Sequence, residues 1–239
     1  MSDGTLQIIP VRGIPEIRRG DDVATAIVEA AAQSEHGLLD GDVLVVTQKI
    51  VSKAEGAMVE VDPSNPLSHK PIVERESVRI LRRRGELIIS QTKHGFVCAN
   101  AGIDLSNVER GQAALLPDDP DRSARRIRDR LKGAHGVDTA VIVSDTFGRP
   151  WRRGVTDVAI GCAGIGAILD LRGTNDSLGR ELMVTEVCIV DELAAAADLV
   201  CGKSAGVPVA IIRGVDSTWL RESGVVDEIV RMPADDLFR

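Results

Sequence analysis

VLVVTQKIVSK, residues 43–53, decides the fold class. Its apolar residues run on without the alternation of a half-exposed strand, so it reads as a strand buried on both faces. An Asp40-Gly41-Asp42 turn precedes it, and Lys49, Ser52 and Lys53 gather where the apolar run gives out. AVIVSDT at 140–146 and VPVAIIRG at 207–214 share its character and read as strands of the same kind. The first of these ends on an acidic residue.

Outward from these strands, residues 7–11 form a short opening strand, stopped by the Gly13-Ile14-Pro15 turn. Asp21 or Asp22 caps a helix through Val23, Ala26, Ile27 and Ala30 that closes near Gly37. Residues 62–71 carry three prolines and mark the best internal break. A basic helix is expected over 73–84, and then two strands within LIISQTKHGFVCANAGID (87–104), joined at Lys93-His94-Gly95. Residues 117–121 make a second loop, and Ser123 caps a helix through Ile127 and Leu131. The Gly- and Ala-rich stretch 161–169 packs a strand closely against a helix. Residues 182–190 read as a strand, and Asp191 opens an Ala-rich helix that closes near Gly202. Helix and strand alternate irregularly, which favours α+β with mixed sheets and packed helices; a doubly wound α/β fold is the alternative. At 239 residues the chain suits one catalytic unit of two intertwined subdomains, broken near 62–71.

Composition narrows the partners. Aromatic residues are 2% of the chain and Tyr is absent, so the core is aliphatic and stacking platforms for single-stranded nucleic acid are not expected. A net charge of −7 argues against binding DNA or an anionic membrane, and requires any anionic ligand to meet a local cluster of bases or a metal. No apolar run reaches the roughly 20 residues of a membrane span. The opening residues lack the features of a signal peptide. Cys98, Cys162, Cys188 and Cys201 form no CxxC pair and read as buried thiols of a reduced cytoplasm.

Two groups of residues carry chemistry. Asp104 and Asp145 each follow an apolar strand, with Ser106 and Asn107 after the first and Thr146 after the second. A carboxylate with a hydroxyl at a strand end is a hard oxygen donor set for Mg²⁺ or Mn²⁺; the other reading is that each Asp opens a turn. Lys49 and Lys53 stand where phosphate could be met, or simply solvate a strand end. Arg149, Arg152 and Arg153 crowd the loop after Asp145 around Trp151, a pattern that forks onto anionic groups or forms a solvated loop. GxxxxGK[ST], GxGxxG in a clear βαβ unit, GxSxG and HExxH are all missing, so P-loop, Rossmann, α/β-hydrolase and zincin chemistry find no support.

Seven segments in order resemble the coenzyme F420-0:γ-glutamyl ligase family, including the ligase half of the actinobacterial two-domain enzyme. They are PVRGIPEIRRGDD, DGDVLVVTQKIVSKAEG, CANAGIDLSNVE, LLPDDPDRSA, VIVSDTFGRPWRRGVTDVAIG, GRELMVTEVCIVDELAAAADLV and GKSAGVPVAIIRG. The nitroreductase-like domain that follows in actinobacterial relatives is not part of this sequence. The resemblance implies a cytoplasmic homodimer that uses GTP to add L-glutamate through a γ-linked amide to coenzyme F420-0, by way of an acyl phosphate. It implies that Ile14, Pro15, Glu16 and Ile17 form one wall of the GTP site. Gln48, Lys49, Lys53 and Asn107 would lie around the nucleotide, with Gln48 standing where related sequences often have a small hydroxyl. The 202–209 loop, with Gly202, Lys203, Ser204 and Gly206, would close over it. Asp104 and Asp145 would hold one divalent ion, Mg²⁺ or Mn²⁺, and Thr146 a second, with K⁺ as an additional ion. The alternatives are an amide ligase for another carboxylate acceptor and a metal- and nucleotide-binding module without turnover.

Overall fold

The computed structural model describes residues 4–236, so Met1 to Asp3, whose lack of signal-peptide features was noted above, lie outside it. In chain order the elements are β1 (Gln7–Pro10), α1 (Val23–Ala32), β2 (Val43–Thr47), α2 (Gln48–Glu55), β3 (Met58–Glu60), α3 (Lys70–Arg75), β4 (Ser77–Arg84), β5 (Leu87–Thr92) and β6 (Val97–Ala99). Then come β7 (Gln112–Ala114), α4 (Pro120–His135), β8 (Ala140–Gly148), β9 (Val155–Ala163), β10 (Leu169–Asp170), β11 (Glu186–Val187), α5 (Ile189–Cys201), β12 (Val209–Arg213) and α6 (Val225–Glu228). Separate mixed and antiparallel sheets with helices packed on them make this an α+β fold.

The main sheet has the order β1-β12-β2-β8-β9. Only β2 and β8 run parallel; β12 and β9 flank them antiparallel. The three apolar runs picked out above supply β2, β8 and β12, the middle strands of the sheet, where both faces are covered. Helix α4 packs on β8 and β9, while α5 crosses β9, β12 and β1. Gly161 shows how tight the first contact is: a Cβ there would lie 2.3 Å from the Pro120 carbonyl carbon. The close strand–helix packing expected of the small-residue stretch is present.

Local chemistry explains most of the boundaries. Asp22 caps α1, its Oδ1 accepting from the Ala24 and Thr25 N–H groups at 3.1 and 3.2 Å. Asp42 is buried but meets Arg213 through two bonds, at 2.8 and 2.7 Å, which tie β12 to the start of β2. A smaller sheet, β4-β5-β6, stands on a satellite cluster of Val73, Ile88 and Ala101 with Ile103 packed on it. No helix among the described residues is long and apolar enough to cross a membrane.

Several expectations are corrected. The strand over 43–53 stops at Thr47, and residues 48–55 form helix α2, because Ile50 and Val51 turn inward on a helical face while Lys49 and Lys53 fall one turn apart on another. The basic helix over 73–84 is instead the end of α3 followed by β4, since Ser77 to Arg84 pair antiparallel with β5. The loop at 62–71 ends one residue before Lys70, where α3 takes Pro71 into its first turn. Asp119, not Ser123, caps α4; Ser123 lies inside its first turns and donates to the Glu55 carboxylate at 2.7 Å. Of the expected strand over 182–190 only Glu186–Val187 pairs, and α5 begins at Ile189. Cys98 and Cys162 are buried, whereas Cys188 and Cys201 are partly exposed.

Candidate active site

The candidate residues meet at the carboxyl ends of the parallel pair β2 and β8. Strand β8 does not end on Asp145: it continues to Gly148 because β9 pairs with it as far as Val155. Asp145 is therefore a mid-strand residue just beyond the last β2 pair, Thr47 with Ser144. Strand alternation sends Asp145 to one face of β8 and Ser144 and Thr146 to the other. A register shift between Val143 and Ser144 accompanies this turn in the geometry.

On the Asp145 face lies the loop after β6. Asn100, Ala101 and Asn107 all have positive φ there, at 50°, 52° and 52°, a conformation that L-residues adopt at a cost. Asp104 is fixed by a two-way backbone pair with Ala114, at 3.0 and 2.8 Å, and by the Ser106 N–H, which donates to its Oδ1 at 2.7 Å. Lys49 reaches across from α2 to Asp104 Oδ2 at 2.7 Å and to Ser106 Oγ at 3.1 Å. Burial works to raise the Asp104 carboxyl, but Lys49 and Ser106 outweigh it and hold it below the ordinary carboxylate range. Asp145 has no side-chain hydrogen bond of that kind: burial pushes it up to about 7, with help from the charges of Asp104 and Asp157 and against the Thr146 N–H and the Lys49 charge. It also works, after burial, to raise the neighbouring Cys98 thiol to about 12.

The Thr146 face is organised by Asp157 of β9, directly opposite Thr146 in the register. Thr146 Oγ1 donates to Asp157 Oδ1 at 2.6 Å, and Ser144 Oγ to Oδ2 at 3.2 Å. Lys203 closes this face from the far side of the chain. Its ammonium lies 2.5 Å from Thr146 Oγ1, 2.9 Å from Asp157 Oδ1 and 3.0 Å from Asp198 Oδ1. Burial alone would lower the Lys203 ammonium, but Asp157 and Asp198 raise it. Gly202 and Gly206 bound its loop with φ of 60° and 65°, and Asn107 Nδ2 donates to the Lys203 carbonyl at 3.3 Å. The strap at 202–206 thus touches both the Asp104 loop and the Thr146 face.

Of the residues named from sequence, Lys49, Asp104, Asp145, Thr146, Asn107 and Lys203 come together here. Lys53 lies one turn along α2 from Lys49 and pairs with Glu16 at 2.5 Å, which brings the 14–17 segment alongside. Within that segment Ile17 is buried in the main core and Ile14 packs on it, while Pro15 and Glu16 are exposed. Ser204 and Gly206 are exposed on the strap. Gln48 is turned inward: it is 1% exposed, and its Nε2 donates to Ser52 Oγ and the Leu115 carbonyl at 2.5 and 2.6 Å. It braces α2 against the segment after β7. The Arg149–Arg153 loop is the tip of the β8–β9 hairpin. Asp157 and Asp198 were missed by sequence reasoning, although a carboxylate inside the apolar run VTDVAIGCA was a visible signal.

Among the described residues no three His, Cys, Asp or Glu side chains converge as a metal cage. A hard cation here would rest on one or two carboxylates with hydroxyl, water and substrate oxygens, which is the habit of Mg²⁺. Asp104 with Asp145 fits that habit: the two carboxylates repel each other, and only the Thr146 N–H and the Lys49 charge act to keep Asp145 ionised. Elsewhere, a groove of about 580 Å³ between α1, α2 and α4 holds none of these side chains. Its Asp22 and Asp119 are spent as helix caps, and we place no chemistry there.

The sequence profile of the F420-0:Gamma-glutamyl ligase family matches residues 13–214. The chain is 45% identical to the coenzyme F420:L-glutamate ligase of Methanothermobacter thermautotrophicus, over 98% of this chain and 99% of the relative. It is 42% identical to the protein of the same name from Methanopyrus kandleri, covering 98% of each. Against that of Archaeoglobus fulgidus it is 39% identical, over 98% of this chain and 96% of the relative.

Proposed function

The chain belongs to the F420-0:gamma-glutamyl ligase family, and we propose from that membership that it is a GTP-dependent ligase adding L-glutamate to coenzyme F420-0. The observation that carries this reading is end-to-end similarity to three proteins named coenzyme F420:L-glutamate ligase, with identity from 39% to 45%.

The chemistry asks for an activated carboxylate, because a carboxylate oxygen cannot leave at neutral pH. In the proposed sequence an acceptor carboxylate oxygen bonds to the γ-phosphorus of GTP, and the bond to the bridging oxygen breaks to release GDP. The glutamate amine then bonds to the acyl carbon, inorganic phosphate departs with its oxygen, and the amine gives up a proton. Lys49 and Lys53 on one face of α2 supply cations for the phosphates. The start of α2 adds to them: it has no acidic residue in its first turn and no side-chain cap from Thr47, so its N-terminal dipole favours an anion. Asp104 and Asp145 would hold one divalent ion and Thr146 a second, supplying Lewis-acid stabilisation of charge on the transferring phosphoryl group. Lys203, carried on a strap between two glycines of positive φ, would exchange its carboxylate partners for a nucleotide phosphate.

A homodimer fits one further feature. Strand β4 is an edge strand with Val78, Ile80 and Leu81 all exposed, a surface that a second copy would cover. The four free thiols suit a reducing cytoplasm.

The test is GDP release from GTP with F420-0 and L-glutamate, measured alongside a panel of other carboxylate acceptors. Release that requires both F420-0 and glutamate is expected. Release with a different acceptor only would make the chain another amide ligase, and GTP binding without release would make it a module without turnover.

A further inference from the structure

The β8–β9 hairpin extends past the candidate site and ends in a turn of unusual composition. Three pairs, Thr146 with Asp157, Phe147 with Thr156 and Gly148 with Val155, lead from the site to the tip. Gly148 therefore lies about 7 Å along the strand from Thr146. The tip holds Arg149, Trp151, Arg152 and Arg153 in a molecule whose net charge is −7.

Trp151 is out of place by ordinary burial rules. It is 85% exposed, in a chain with only 2 Trp, 3 Phe and no Tyr. Trp219 and Phe147 both pack against the main core, and Phe96 is part of it. Trp151 is also held at φ 57°, a left-handed conformation that a bulky residue adopts only where its surroundings impose it. The imposition is visible. The Arg149 guanidinium donates to the Arg153 carbonyl at 2.9 Å, and the Arg152 N–H to the Arg149 carbonyl at 3.4 Å, which closes the turn around Trp151. Among the described residues no carboxylate lies within ion-pair distance of Arg149, Arg152 or Arg153.

We propose that the hairpin tip at 148–154 is the docking platform for the ring end of the acceptor, with Trp151 stacking on a planar aromatic system and the flanking arginines meeting the acceptor's anionic groups. The inference rests on the proposed function, since a deazaflavin acceptor offers a planar ring at a distance from its reacting carboxylate. Stacking on an exposed aromatic is strong enough to matter and tolerant of ring identity. Arginine forks supply cations for the acceptor's anionic groups. The rooting of the hairpin at the Thr146–Asp157 pair links ring capture to placement of the carboxylate at the phosphates.

The test uses the full chain with F420-0 as probe. Trp151→Ala is expected to raise the KM for F420-0 roughly tenfold, the size expected for losing one stacking partner, with kcat and the KM for GTP and glutamate within about twofold. Trp151→Phe should recover most of that loss. Addition of F420-0 should quench tryptophan emission of the unaltered protein, and Trp151→Phe should remove the part of the quench that Trp151 contributes, leaving only that of Trp219, while retaining binding. An unchanged KM for F420-0 in an active Trp151→Ala enzyme, or a quench equal in Trp151→Phe and the unaltered protein, would overturn the platform and leave the ligase reading standing. Absence of turnover with F420-0 in the unaltered protein would instead overturn the ligase reading.

Discussion

Asp145→Asn should make the metal-free protein more stable while removing its capacity to bind a divalent ion. The Asp145 carboxyl ionises near pH 7 when folded, against 3.8 for the ordinary group, because burial opposes its charge and Asp104 and Asp157 repel it. Between those values the folded state binds the extra proton. The contribution of this carboxyl is therefore complete below about pH 3.8 and is lost as pH rises through 7. The loss is roughly 4 kcal/mol at most, from about three pH units at ~1.4 kcal/mol each. Asn carries no charge to desolvate. In EDTA at pH 8.5 the variant should melt higher than the unaltered protein, by on the order of 10 °C for a chain of this size. At pH 5 the gap should shrink below about 2 kcal/mol. With Mn²⁺ at a hundredfold excess over its dissociation constant, the unaltered protein should recover about 2.7 kcal/mol and the variant nothing. Paired thermal melts at pH 5 and 8.5, with and without Mn²⁺, read all four states. An Asn variant that is less stable than the parent at pH 8.5 in EDTA would show that the carboxylate organises the strand, and an Mn²⁺ gain in the variant equal to the parent's would refute its assignment as a cation ligand.

Other substitutions test the frame around the site. Gly161→Ala places a methyl 2.3 Å from the Pro120 carbonyl carbon, where backbone must yield, and should cost roughly 3 kcal/mol in urea unfolding; a loss below about 1 kcal/mol would mean that α4 is not held against β9 as described. Arg213→Ala leaves the buried Asp42 carboxylate without its two-pronged partner and should cost about 3–5 kcal/mol, whereas Asp42→Asn combined with Arg213→Met should recover much of it. Lys203→Met removes the contacts that tie the 202–206 strap to Asp157 and Asp198, so limited proteolysis should cut there faster, with little change in melting temperature. Equal cleavage rates would show that the ammonium does not hold the strap.

Much of this architecture was legible because apolar runs carry a direct signal of burial. Residues 43–47, 140–146 and 209–213 became central strands, and Asp22 declared the start of α1 by its side chain. The misreadings have physical causes. Ile50 and Val51 continue an apolar run seamlessly, yet the chain switches from extended to helical at Gln48. SVRILRRR (77–84) lacks clean alternation because both faces of β4 are exposed, so only its pairing with β5 makes it a strand. Asp145 looked like a strand end because the hydrophobic residues stop there, but backbone pairing with β9 does not depend on hydrophobicity. Asp104 and Asp145 stood out singly. What stayed hidden was the network that joins Thr146 to Asp157, Asp198 and Lys203, whose members are up to 57 positions apart. Such contacts arise from topology, and nothing local announces them.

The most direct test of the central claim is product analysis after incubation of the protein with F420-0, L-glutamate, GTP and Mg²⁺. Mass spectrometry should show F420-0 gaining a glutamyl residue, with one GDP and one phosphate formed for each amide bond. GTP consumed without glutamyl transfer, or transfer that proceeds without GTP, would contradict the account.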